Sequence, residues 1–124
     1  MAKDLILVVE DSPTNLKLLK ELLEKNGYRA ITAEDGEDAL KKVAQHKPRL
    51  ILLDIILPKK NGFQVCRQVK TSPDTHNSKI VMVSSKSEEA DRFWGMKQGA
   101  DAYIAKPIDE QDLLNTVAKL LQKS

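Results

Sequence analysis

Residues 5–13 read Leu5-Ile6-Leu7-Val8-Val9-Glu10-Asp11-Ser12-Pro13, and this stretch decides the fold. Its apolar run is too short for a helix and suits a strand covered on both faces, as in a parallel sheet. Two carboxylates end the run. Ser12 then offers an N-cap and Pro13 a first-turn proline. Leu16, Leu19, Leu22 and Leu23 follow on one helical stripe, and Gly27 stands where a C′ glycine belongs. Strand, acidic turn and helix make one β-α unit.

Working outward, the same unit recurs. The second apolar run, Tyr28-Arg29-Ala30-Ile31-Thr32-Ala33, is more polar and reads as a strand at or near a sheet edge. Leu50-Ile51-Leu52-Leu53, after Pro48, and Ile80-Val81-Met82-Val83 read as buried strands, and Ala102-Tyr103-Ile104-Ala105 as a short fifth. Between them lie amphipathic stretches. Asp35 caps a helix carrying Ala39, Leu40, Val43 and Ala44. Gly62 opens another with Phe63, Val65, Cys66 and Val69. Ser85-x-x-Glu88 fits a capping box for a fourth helix with an apolar set of Ala90, Phe93, Trp94 and Met96, ending before Gly99. Asp109 caps a fifth with Leu113, Leu114, Val117, Leu120 and Leu121. Gly95 inside the fourth helix costs about 1 kcal/mol relative to alanine and predicts local looseness. The loosest loop is expected at 72–78. Five β-α units imply an α/β three-layer sandwich around a doubly wound parallel sheet with right-handed crossovers.

The chain has 124 residues, 41% of them hydrophobic and 31% charged, which suits one ordinary globular domain. Lys plus Arg number 20 against 18 for Asp plus Glu. A net charge of +2 gives no bulk electrostatic case for nucleic-acid binding. The single cysteine, Cys66, excludes an internal disulfide. No apolar run approaches the roughly 18 residues of a membrane span. A cytoplasmic location is expected.

Ligands in such sheets bind beyond the carboxyl ends of the strands. Those ends carry Glu10 and Asp11, Asp54, Ser84 and Ser85, and Lys106. Any one acidic residue here could be only a helix cap. Glu10, Asp11 and Asp54 crowded together, however, call for a cation. Hard carboxylate oxygens suit Mg2+, which also takes water and a substrate phosphate. Lys106 supplies a fixed positive charge and Ser84 a hydroxyl. The turn after the first strand has no glycine, which counts against a nucleotide-binding loop. Ile56 stands where a haloacid-dehalogenase-type phosphatase has its second Asp. His46 and His76 lie away from the strand ends, which argues against a Ser-His-Asp hydrolase. A carboxylate that accepts a phosphoryl group remains, with charge offset by Mg2+ and Lys106.

The motifs Leu7-Val8-Val9-Glu10-Asp11-Ser12, Leu52-Leu53-Asp54-Ile55-Ile56-Leu57-Pro58 with Gly62, Val83-Ser84-Ser85 and Lys106-Pro107 together resemble the receiver domain of two-component response regulators. The resemblance spans essentially the whole chain. It implies a flavodoxin-like sheet of strand order 2-1-3-4-5, with Asp54 as phosphoacceptor. It implies Mg2+ held by Glu10, Asp11, Asp54 and the backbone carbonyl of Ile56. Ser84 and Lys106 would contact phosphoryl oxygens, and the bond from Lys106 to Pro107 would be cis. Ser84 and Tyr103 would form the switch. The implied partners are a sensor histidine kinase or phosphotransfer domain and a downstream protein target on the face of the fourth helix, fifth strand and fifth helix. Ile56 is expected to exclude water and slow loss of the phosphoryl group.

Residues 91–103 are similar to stand-alone receivers of chemotaxis-like systems for pilus twitching and phototaxis. Residues 1–124 are expected to act as a single receiver domain with no output domain, and not as an enzyme on outside substrates. Trp94 is either part of a partner surface or a packing residue. A phosphorelay intermediate, and in another class a Mg2+-dependent phosphatase, are the alternatives.

Overall fold

The computed structural model describes residues 3–86 and 88–122. The expected domain limits, Met1 and Ser124, lie outside the described residues. The elements run β1 (Leu5–Val9), α1 (Pro13–Lys25), β2 (Arg29–Ala33), α2 (Gly36–His46), β3 (Leu50–Leu53), α3 (Gly62–Thr71), β4 (Lys79–Ser84), α4 (Glu89–Lys97), β5 (Ala102–Ala105) and α5 (Glu110–Gln122). The sheet order is β2-β1-β3-β4-β5 and every pairing is parallel. The polar second strand is at an edge, as its sequence predicts.

The continuous apolar runs follow from burial on both faces, because alternate side chains leave a strand in opposite directions. Leu7, Val9, Ile51, Leu53, Ile80 and Met82 face one core with Ala39, Val43, Val65, Cys66 and Val69 of α2 and α3. Ile6, Val8, Leu50, Leu52, Val81 and Val83 face the other with Leu19, Leu23, Leu113, Val117 and Leu121 of α1 and α5. Each such buried aliphatic side chain stabilises the fold by roughly 1.5–3 kcal/mol. Tyr103 packs against the first core and Ile104 belongs to the second.

Helix starts follow the sequence signals in three cases. Ser12 Oγ accepts from Asn15 N at 3.4 Å, Asp35 Oδ1 from Asp38 N at 2.8 Å and Asp109 Oδ1 from Asp112 N at 3.0 Å. Gly27, just beyond α1, has φ +93°. At α3 the first residue is Gly62, but the cap is Asn61. Its side chain accepts from Gln64 N at 3.0 Å while Gln64 Oε1 accepts from Asn61 N at 3.0 Å.

The fourth helix departs from expectation. Its N-cap is Glu88 rather than Ser85, and Glu88 N–H donates to Asp91 at 3.3 Å. Its expected apolar set does not face the core. Phe93, Trp94 and Met96 are 61%, 51% and 48% exposed, and Ala90 is exposed. The residue of α4 that faces inward is Gly95. A Cβ there would meet Met82 and Tyr103, so close packing, not looseness, explains the glycine. Ala44 of α2 is likewise exposed.

The loop at 72–78 is pinned rather than loose. Thr75 Oγ1 donates to Val69 O at 2.8 Å, Ser78 Oγ to Pro48 O at 2.6 Å, and Lys70 Nζ to Ser78 O at 2.8 Å. Lys70 also pairs with Asp101 at 2.9 Å. Among the described residues no helix is long and apolar enough to cross a membrane.

Candidate functional site at the carboxyl ends of the strands

The parallel ladder runs one residue past the strands and sets the site's geometry. Asp54 N–H donates to Val9 O at 3.1 Å, Glu10 N–H to Ala33 O at 3.1 Å, and Lys106 N–H to Ser84 O at 3.0 Å. Residues from β1, β3, β4 and β5 are thereby brought to one end of the sheet. Glu10, Asp11 and Asp54 each present a carboxylate oxygen within 4.8 Å of the others. Glu10 and Asp54 are 3% and 8% exposed, whereas Asp11 is open to solvent.

Lys106 closes the cluster. Its ammonium donates to Glu10 Oε1 at 2.6 Å and to Asp54 Oδ2 at 3.0 Å. Burial works to lower the pKa of Lys106, but the hydrogen bonds to Glu10 and Asp54 and their charges outweigh it and hold the pKa above 10.5. The lysine is therefore a fixed cation, and its bond to Pro107 is cis. Backbone amides satisfy the remaining carboxylate oxygens. Ser12 N–H donates to Glu10 Oε2 at 3.2 Å and Ile56 N–H to Asp54 Oδ1 at 3.3 Å.

Three formal carboxylate charges against one ammonium leave two negative charges, which one divalent cation balances. All-oxygen donors on adjacent strand ends, one of them exposed, suit a hard ion that keeps part of its water. The residues thus fit Mg2+.

Gly62 keeps this end of the sheet compact. Its N–H donates to Ile55 O at 2.8 Å, and a Cβ at 62 would lie 2.3 Å from Asp54 O. The turn from Asp54 into α3 can fold back only because that position lacks a side chain. The Ile56 side chain points outward and is exposed.

Ser84 is fully buried, and its Oγ accepts from Lys86 N at 3.3 Å. The Lys86 carbonyl in turn accepts from the Tyr103 hydroxyl. Burial raises the pKa of this phenol and Asp91 adds to the effect, while Arg92 opposes it. The Arg92 guanidinium sits 5.4 Å from the ring centroid. Sequence reasoning singled out Ser84 and Tyr103 but missed that the Lys86 backbone joins them. Residue type carries no signal for such a role, since every peptide has the same N–H and C=O.

Asp35 is engaged elsewhere, at the α2 cap and 3.7 Å from Lys59. Exposed His46 ends α2 and exposed His76 lies in the 72–78 loop, both away from the strand ends.

A five-stranded doubly wound sheet with two acidic residues after β1, an Asp after β3, a hydroxyl at the end of β4 and a Lys after β5 defines a phosphoacceptor module of two-component signalling. Residues 6–118 match the family model of the response regulator receiver domain, and the chain belongs to that family. It is 41% identical over 116 residues to Protein PilH of Pseudomonas aeruginosa, covering 94% of this chain and 96% of PilH. It is also 42% identical over 119 residues to the alkaline phosphatase synthesis transcriptional regulatory protein PhoP of Bacillus subtilis, covering 96% of this chain but 49% of PhoP. The chain thus spans nearly all of one curated relative and about half of the other. Among solved structures, a CheY-like response regulator receiver domain protein from Methanospirillum hungatei superposes with a TM-score of 0.92 at 29% identity, covering 98% of this chain and 96% of that one. Receiver domains are phosphoacceptor signalling proteins that bind Mg2+ in an acidic pocket and interact with histidine kinases and downstream effectors.

Proposed function

We propose that Asp54 accepts a phosphoryl group from a phosphohistidine of a sensor histidine kinase or phosphotransfer domain. A carboxylate oxygen of Asp54 forms a bond to phosphorus as the phosphorus–nitrogen bond breaks, and the imidazole leaves with the electron pair and takes up a proton. The observation that carries this reading is the double contact of Lys106 with Glu10 and Asp54. It fixes a cation beside the nucleophile, where charge builds up on phosphoryl oxygens. Glu10, Asp11, Asp54 and the Ile56 carbonyl would hold Mg2+, which when bound neutralises further phosphoryl charge. Ser84 releases Lys86 N–H and turns its hydroxyl to a phosphoryl oxygen, and Tyr103 follows. The change biases an existing equilibrium between two conformations. Residues 1–124 work as one receiver domain in the cytoplasm.

Output goes to a protein partner on the face of α4, β5 and α5. The exposed Phe93, Trp94 and Met96 support that surface, and they favour Trp94 as a partner residue over Trp94 as a packing residue. The likeness of residues 91–103 to receivers of chemotaxis-like motility systems, with the match to PilH, supports a pathway of that kind. Labelling by an acyl phosphate with Mg2+ tests the chemistry. The bound group should be released by hydroxylamine, as an acyl phosphate is, and should be absent from Asp54→Asn. A hydroxylamine-stable label would instead place the phosphate on a hydroxyl. Subsequent loss of label to a histidine phosphotransfer domain would favour the relay role over direct output.

A further inference from the structure

We propose that Gly95 is a positioning residue of the switch: the gap left by its missing side chain seats the Tyr103 ring beneath α4, so that ring and helix move together. The proposal rests on the reading of Tyr103 as the switch aromatic.

The inward-facing residue of α4 is a glycine, and the large apolar residues beside it face solvent. A helix of this kind lies against a sheet when neighbouring side chains enter the gap. At Gly95 a Cβ would lie 2.8 Å from Met82 Sδ and 3.2 and 3.3 Å from Tyr103 Cδ2 and Cε2. Such distances require a neighbour to give. Met82 is fully buried on β4, between β3 and β5. Tyr103 is half-buried on an edge strand and has solvent to move into. A methyl group at position 95 therefore presses on Met82 Sδ and on the ring together, and of the two the ring has an open side to leave by. Leaving its seat, the ring would give up the bond from its hydroxyl to the Lys86 carbonyl and its contact with Arg92.

Lys86 also donates its N–H to Ser84 Oγ. A path thus runs from Ser84 through the Lys86 backbone, by its N–H on one side of the Cα and its carbonyl on the other, to Tyr103 and Gly95, and so to the exposed face of α4. Glycine inside a helix lowers the folding constant roughly fivefold relative to alanine. The ring seat is what that cost maintains.

The chain has two tyrosines, Tyr28 and Tyr103. Protein labelled with 3-fluorotyrosine should therefore give two fluorine resonances, assigned with Tyr28→Phe. In Gly95→Ala the Tyr103 resonance should move toward that of free fluorotyrosine while Tyr28 stays fixed. A Tyr103 resonance coincident with the parent's would overturn the seat. Urea unfolding gives a second measure. Gly95→Ala should lower the folding constant in the parent, and should lower it less or raise it in a Tyr103→Ala background, where the Met82 contact and the gain in helix propensity remain but the ring does not. Equal effects in both backgrounds overturn the proposal. Phosphorylation of Asp54 by acetyl phosphate, read by intact mass, separates the two readings. If both proteins are phosphorylated and the ring does not move, the seat fails and the receiver reading stands. If neither is phosphorylated, the switching role falls, whatever the ring does.

Discussion

Lys106 has two carboxylate partners, and losing it would leave Glu10 and Asp54 facing each other without a cation. Lys106→Ala should therefore depend on Mg2+ for stability more than the parent does. The rise in melting temperature on adding Mg2+ should be larger in the variant; an equal rise would show that the lysine and the metal do not share the same charge. The sign with pH follows from the raised pKa. Stability from the Lys106 contacts is fully present below pH 10.5 and is lost as pH rises through the higher folded value. Alkaline titration of the parent should show this loss, and Lys106→Ala should show less of it. At position 56 the exposed isoleucine lies beside the path of attacking water in the proposed site. Ile56→Asn should lose its phosphoryl group faster than the parent. Equal or slower loss would remove water exclusion as the role of Ile56. The identity of these residues was legible because carboxylates, a hydroxyl and an ammonium each follow an apolar run. The Lys86 link was not, because its contribution is made by backbone atoms.

Among the elements, α3 shows how local chemistry positions the site. Asn61 and Gln64 bond reciprocally at its start, and Gly62 lets the preceding turn lie against Asp54. Asn61→Ala should destabilise the protein by about 1 kcal/mol, measurable by urea unfolding; no change would mean that water replaces the cap. The α1, α2 and α5 starts were readable from Ser12, Asp35 and Asp109, since each is a strong cap before an apolar stripe. The fourth helix was misread for a physical reason. An apolar set predicts a buried stripe only when the core has room for it. Here Met82 and the Tyr103 ring occupy that room, so α4 turns a glycine inward and Phe93, Trp94 and Met96 outward. The sequence signal was the glycine, read first as a weakness.

For the whole molecule, alternation on both faces of β1, β3 and β4 explains why apolar runs sufficed to reveal a parallel sheet. Strand order is less visible in sequence, because register and neighbours depend on crossovers rather than on residue type; the resemblance to receiver domains supplied it. Cys66 illustrates burial at this scale. It packs in the core with 0% exposure, and desolvation pushes its thiol up to about 12. The near-neutral total charge also conceals how charge is arranged. The carboxylates of Glu10, Asp11 and Asp54 converge at one end of the sheet, bridged by a single lysine. That convergence is the basis for reading Asp54 as the phosphoacceptor. The most direct test is incubation of the protein with acetyl phosphate and Mg2+, followed by intact mass. The account predicts a single added phosphoryl group, absent without Mg2+ and absent in Asp54→Ala. An unchanged mass in the parent, or the same addition in Asp54→Ala, would contradict it.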